Sequence, residues 1–502
     1  MNHWNVANVR AATLASGVLA GSLLAGCTLA PAYHRPDLPV PTAYPTAAAD
    51  SGQSGIPASD IGWREFFGDE RLQNLISMAL TNNRDLRVAL LNVENARAQY
   101  RIQRSELLPA ITASGNEDAS HSPTALATPG LSSTTHEFSA SIGVSAYEID
   151  LFGRLRSLNA QALETYLSTQ EARRSTQLTL VAEVAADYLN LAADQELLAL
   201  ARETFRSQNE SYQLTVREAA LGFASDLAVR QAQTPVETAR YDEARYLSSV
   251  AQDRNALQLL VGAPIPDALL PPGLTEALKA IASNGNLPAD LPSDLMQRRP
   301  DVADAEHTLR AANANIGAAR AAFFPTVTLT SSGGTESLGL SGLFKAGSGT
   351  WSFAPQTSLP IFSGGRNRAN LDSAKISKDI DVAKYEHSIQ TAFREVADAL
   401  AQRSQYGQQL SAQEALVEAT SESHRLADAR FQHGADTYLN VLDAERSLYS
   451  AQQTLITTQL GQASNLVTLY KVLGGGLIEH SRPPGVARRA PPPTPSISIP
   501  QV

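Results

Sequence analysis

Apolar and polar positions along the chain follow two rhythms, and each rhythm occurs twice. Phe138, Ala140, Ile142, Val144 and Ala146 alternate with Ser139, Ser141, Gly143 and Ser145. A period of two puts one set on each face of a strand, apolar against small and polar. Val327 and Leu329 alternate in the same way with Thr326, Thr328 and Thr330, and Trp351 and Phe353 open a partner strand. The second rhythm is helical. Val184, Leu191, Leu198, Phe205 and Tyr212 recur every seven residues, a coiled-coil spacing off which an undistorted helix would drift. They belong to a helix predicted over 154–219, matched by another over 366–432. At about 1.5 Å per residue such a helix reaches about 97 Å, too long for a globular domain.

The rest of each half follows suit. Helices over 84–107 and 299–323 end before Pro109 and Pro325, because proline disfavours helix in the residue before it. Turns at Gly222 and Gly434 reverse the chain, and second helices run back to Gly262 and Gly474, where glycine takes the positive φ that ends a helix. Segments 116–136 and 334–349, rich in Ser, Gly, Thr and Pro, are predicted as loops.

The two halves are an internal repeat. Gly153-Arg154 matches Gly365-Arg366, Glu183-Val184-Ala185 matches Glu395-Val396-Ala397, Gly222 matches Gly434 and Gly262 matches Gly474, all at an offset of 212. Nearer the start of each half the offset is 216, pairing Asp85 with Asp301, Arg104 with Arg320 and Pro109 with Pro325. The chain divides into 1–26, a signal peptide; 27–68, an extended lipidated N-terminal segment; 69–262, the first repeat; 263–297, a Pro-rich linker; 298–475, the second repeat; and 476–502, a Pro-rich tail predicted to be disordered.

One cysteine changes the picture. Cys27 has no partner for a disulfide or a zinc cluster. It follows an apolar stretch from Ala11 and the small-residue run Leu24-Ala25-Gly26, a signal-peptide layout. The four residues 24–27 resemble the lipobox of bacterial lipoproteins, whose cysteine carries a diacylglycerol and an N-acyl chain such as palmitate and becomes residue one. The alternative is an ordinary secretory signal with an incidental Cys. Thr28 in the next position, rather than Asp, favours the outer membrane. Past the signal no stretch has the roughly 18 apolar residues of a membrane helix, so a membrane span must be made of strands. Four strands cannot close a barrel alone, and open edges are not tolerated in lipid. Further copies must complete it.

Net charge, at −10, argues against a nucleic-acid partner. Nine scattered histidines form no HExxH pair or tight cluster, and there is no GxSxG elbow and no Walker-type phosphate loop. No catalytic residue, metal site or other cofactor is expected, and transport energy must come from a partner.

Several stretches in order resemble the TolC-like outer membrane factors, in the NodT branch of efflux lipoproteins. They are Pro31-Ala32-Tyr33-His34-Arg35-Pro36, Trp63-Arg64-Glu65-Phe66-Phe67, Asn82-Asn83-Arg84-Asp85-Leu86, Arg298-Arg299-Pro300-Asp301-Val302, Pro360-Ile361-Phe362-Ser363-Gly364-Gly365 and Tyr438-Leu439-Asn440-Val441-Leu442-Asp443-Ala444. The resemblance implies a mainly α fold with a small β part. It implies a homotrimer whose four strands per chain form a 12-stranded membrane barrel, continued by a long periplasmic helical barrel. It also implies a periplasmic membrane-fusion adaptor, an inner-membrane pump of the resistance-nodulation-division type, lipid contacts in the outer membrane of a Gram-negative bacterium, and multidrug or other solute efflux.

The resemblance places a gate at Leu439 and Asp443, with three copies of each ringing the duct, and Arg446 poised to pair with Asp443 at i, i+3. Asn440 and Asp436 depart from the family pattern, where some members have Asp and a basic residue. Gly222 and Ala224, with Gly434 and Ala435, would form the helix tip that meets the adaptor. A solvated surface pair and ordinary helix turns are the plainer readings of these residues. Two other functions share parts of this pattern: a duct for protein secretion beside an ABC-type pump, and a structural periplasmic coiled-coil lipoprotein.

Overall fold

The computed structural model describes residues 28–44, 57–121, 123, 134–282, 287 and 299–481. The signal peptide, Cys27, most of the linker's second half and the tail beyond 481 lie outside the described residues. Among the described residues there are nine α-helices: α1 Trp63–Phe66, α2 Glu70–Asn82, α3 Arg84–Ser105, α4 Arg154–Ala220, α5 Asp226–Val261, α6 Leu274–Ala282, α7 Pro300–Ala321, α8 Arg366–Gln432 and α9 Tyr438–Val472. Four strands accompany them: β1 Ile111–His121, β2 Thr134–Ile149, β3 Thr326–Ser337 and β4 Gly349–Ser358. The chain forms two compact units, and α4 and α8 contribute to both.

One unit holds residues up to Pro39, Ala89–Ala172 and Asp301–Ser388. Its four strands form one antiparallel sheet in the order β1-β2-β3-β4. The inner strands β2 and β3 are largely half-buried, whereas β1 and β4 are exposed along their whole length. The strands run further than the loop composition predicts: Asn116–His121, 134–136 and 334–337 are paired strand. These residues pair side chain to side chain, as in Ser120 with Thr135 at 2.9 Å and His136 with Glu117 at 3.0 Å. A ladder satisfied in this way needs no apolar face, so composition alone reads as loop. A bulge at Ala146, φ 51°, shifts the β2–β3 register between Val144 and Tyr147.

Residues 28–37 carry no regular structure and lie along α7. Arg320 donates to the Leu29 carbonyl at 3.0 Å and Asn313 to that of Pro31 at 2.8 Å. Glu306, 6% exposed, accepts from Tyr33, Arg35 and Arg310. Burial opposes its charge, but the hydrogen bonds from Arg310 and Arg35 win and hold its pKa below the usual carboxylate range. Gly317 lets the segment lie close, since a Cβ there would stand 2.8 Å from the Ala30 nitrogen.

The other unit holds Val40–Val88, Arg173–Pro300 and the chain from Ile389 onward. Its core explains several of the motif stretches. Trp63, Phe66 and Phe67 are buried, and Phe66 stacks on Tyr470 at 3.8 Å between centroids. Asp69 caps α2 and accepts from the Tyr188 hydroxyl at 2.6 Å. Asn83 donates to the Leu260 carbonyl at 2.9 Å while accepting from the Leu86 amide at 2.8 Å. Arg299 pairs with Glu395 at 2.7 Å and donates to the Val472 carbonyl. Val184, Leu191 and Leu198 of the heptad are buried, and Phe205 and Tyr212 half-buried.

One expectation needs correcting here. The segment 27–68 is not extended throughout, because α1 and a 3-10 turn at Ala58–Asp60 interrupt it. The linker 263–297 contains α6 and a 3-10 turn at Asp267–Leu269. The first repeat also holds helix α2 ahead of α3, and Leu72, Leu75, Ile76 and Ala79 mark its buried face.

Candidate functional site at the helical turns

The α4–α5 and α8–α9 turns are built alike. In the first, Gly222 has φ 81°, its amide donates to the Ala219 carbonyl and that of Phe223 to Glu218. In the second, Gly434 has φ 67°, its amide donates to Phe431 and that of Ala435 to Arg430. Both are Schellman closures, in which a glycine in the left-handed region lets the last carbonyls of a helix find partners. Gly222 and Ala224 sit together at one turn, Gly434 and Ala435 at the other.

Their side chains differ. Leu221, Phe223 and Leu227 stand 72%, 83% and 67% exposed at the first turn. At the second, Arg430 pairs with Asp436 at 3.0 Å, and Asn440 donates to the same carboxylate at 2.5 Å. The Thr437 amide adds a third bond at 2.8 Å. These contacts, the Thr437 amide foremost, hold the Asp436 pKa below the ordinary range. Asn440 and Asp436, which looked like departures from a gate network, therefore bind each other and fasten the start of α9.

Beyond the turn, Leu439, Asp443 and Arg446 follow at i, i+4 and i+7 on one face of α9. Asp443 and Arg446 form an exposed ion pair, and Leu439 is 53% exposed. This face borders a cavity of about 200 Å³ shared with α4 and α5, lined also by Gln208, Pro235 and Ala239. Pro235 lies inside α5, where it removes the amide that would bond the Gln231 carbonyl and loosens the helix opposite this face of α9. Glu445, on the same stretch of α9, is pushed above the usual carboxylate range by burial.

Further along α9, a network that sequence reasoning missed ties it to α5. Asp242, 8% exposed, accepts from the Tyr449 hydroxyl at 3.0 Å and pairs with Arg245 at 3.2 Å. Gln453 donates to the Tyr246 hydroxyl at 3.3 Å, and Arg245 to the same oxygen at 2.6 Å. Burial, then the bond to Asp242, pushes the Tyr449 phenol above its ordinary range. Between α4 and α5, Asp253 is raised to about 6, first by burial and then by Asp194. Among the described residues no group of His, Cys, Asp and Glu could hold a metal ion, and no helix is long and apolar enough to cross a membrane.

The sheet, the paired long helices and the duplicated turns match one family model, outer membrane efflux protein, over residues 75–263 and 291–475. The chain belongs to this family. A toluene efflux pump outer membrane protein of Pseudomonas putida is 51% identical over 457 residues, covering 91% of this chain and 94% of the relative. A cation efflux system protein of Escherichia coli is 43% identical over 450 residues, covering 90% and 96%. Among solved structures, a membrane protein from Pseudomonas aeruginosa superposes with a TM-score of 0.80 at 42% identity, covering 90% of this chain and 98% of that one. The fold is TolC-like, the chain is an efflux protein of the Gram-negative outer membrane, and the family's role is that of a channel.

Proposed function

We propose that three copies of this chain form a duct that carries small solutes from the periplasm to the exterior, docked to a membrane-fusion adaptor and driven by a resistance-nodulation-division pump. The observation that carries the proposal is the sheet. Trp351, Phe353 and Val144 lie on one face and Ser139, Ser141, Ser332 and Ser352 on the other, with both edge strands bare. Such a sheet suits lipid outside and water inside, provided that its edges are paired. Three copies supply twelve strands. The names of the relatives, toluene and cation efflux, support solute cargo over protein secretion.

Within the duct, Leu439 and Asp443 narrow the passage, with Arg446 compensating the carboxylate. The Asp242–Tyr449 network holds α9 against α5 in the shut state. The two helical turns, around Gly222, Ala224, Gly434 and Ala435, meet the adaptor. No residue acts catalytically, and Cys27 carries the acyl chains that anchor the mature N-terminus, which residues 28–37 hold along α7. Electron microscopy of protein extracted from outer membranes in mild detergent tests the proposal. Threefold cylinders are the expected result, and isolated monomers would refute it. Mass spectrometry of the mature N-terminus tests lipidation, and an unmodified Cys27 would end that part.

A further inference from the structure

The internal repeat fixes how neighbouring subunits would join. Within one chain, β2 is the second strand of the first repeat, β3 is the first strand of the second, and the two pair directly. In the trimer, which this inference takes from the proposed function, β4 is the second strand of the second repeat and the next subunit's β1 is the first strand of the first. The β2–β3 junction is therefore the template for the junction between subunits.

The transfer is quantitative. Ile111 pairs with Val144 and Val327 with Thr357, so an offset of 216 along the first strand goes with 357 minus 144, or 213, along the second. In the outer part of the β2–β3 pair the residue numbers add to 475, as in Phe138 with Ser337 and Val144 with Ser331. Moved forward by 213 onto β4 and back by 216 onto β1, they add to 472. Past the bulge at Ala146 the pairs add to 476, as in Ile149 with Val327. There the offset has returned to the 212 seen at Gly153 and Gly365, and the transferred pairs again add to 472. The bulge thus accounts for the change of offset.

Two further observations agree. A sum of 472 pairs odd residues with odd, so Trp351, Phe353 and Thr357 share a face with the next subunit's His121, Ala119 and Gly115, as face continuity requires. Exposure marks the same residues. Ile149 and Val327, paired within the chain, are half-buried, and Phe152 stacks on Phe324 at 4.8 Å. The counterparts of Ile149, Val327 and Phe324 on the free edges are bare: Ile361 is 95% exposed, Ile111 69% and Leu108 71%, and Phe362 beside Ile361 is 90% exposed. An apolar surface of this kind at both edges calls for a second copy of the chain.

We infer that residue i of β4 lies opposite residue 472 − i of the next subunit's β1, and that the same register, carried past the strand ends, sets Ile361 against the next subunit's Ile111. Ser120→Cys, combined in turn with Thr350→Cys, Ser352→Cys and Ala354→Cys in the full-length protein, tests the register. A disulfide needs Cα atoms within about 7 Å, which directly opposed residues meet; diagonal neighbours lie about 7–8 Å apart. Mild oxidation should turn most chains of the Ser120/Ser352 variant into a covalent trimer and leave the other two variants monomeric on denaturing gels. Wild type, with Cys27 alone, is the control. Native size, measured first, separates the claims. Trimers that cross-link through position 350 or 354, or through none of the three, overturn the register and leave the trimer standing. Wild-type protein that is monomeric overturns the trimer itself.

Discussion

The two helical turns share a backbone and present opposite chemistry. Both close on a left-handed glycine with the same pair of hydrogen bonds. The α4–α5 turn offers Leu221, Phe223 and Leu227 to its surroundings, whereas the α8–α9 turn spends its polar groups on itself, through Arg430, Asp436 and Asn440. Duplication conserved the scaffold and left the side chains free to divide the work. An exposed apolar turn suits contact with a partner. A turn fastened by its own charges suits the foot of a helix that must hold one position until it is moved.

The largest effect should come from breaking the apolar turn. Phe223→Asp with Leu227→Asp should abolish efflux-dependent resistance, read as minimum inhibitory concentration, while native size is unchanged; the equivalent Ala435→Asp should do much less. Equal losses from both turns would erase the distinction. Next comes the tie between α5 and α9. Tyr449→Phe removes a hydrogen bond to a buried carboxylate, worth about 1.5–3 kcal/mol. Open events in planar bilayers should then rise by about tenfold or more, and an unchanged open fraction would remove this network from gating.

A smaller effect concerns pH. Asp253 is raised to about 6, above the roughly 3.9 of an unfolded chain, so the folded state keeps a proton that the unfolded state gives up. Its contribution is therefore full below the unfolded value and is lost as pH rises through about 6. The melting temperature should fall across that window, and Asp253→Asn should flatten the fall. A variant with the wild-type profile would assign the pH dependence elsewhere. The smallest effect is expected of Asp436→Asn. The Arg430 pair is exposed and weak, so the change should show only as faster hydrogen exchange at Thr437–Asn440, with conductance barely moved.

Much of this was legible in the sequence because it rests on local rules. The ends of α4 and α8, the glycines at 222 and 434 and the alternation in β2 follow from period and backbone preference, and the offset between halves needs only a comparison of the chain with itself. The outer ends of the strands were not legible. Asn116–His121 pairs by polar side chains and lacks an apolar face, so it reads as loop. Asp242 was missed because an acid inside a helix next to Arg245 looks like a solvated pair. What buries it is Tyr449 and Gln453, more than two hundred residues away in sequence. Asn440 was read against a family pattern, and only the geometry shows that it serves Asp436.

The most direct test of the account is the conductance of single channels in planar bilayers, comparing wild type with the Leu439→Ala, Asp443→Ala double variant. A duct shut at these residues predicts a small, mostly closed wild-type conductance and a several-fold larger, steadily open one in the variant. The same conductance in both, with trimers intact, would contradict it and place the constriction elsewhere.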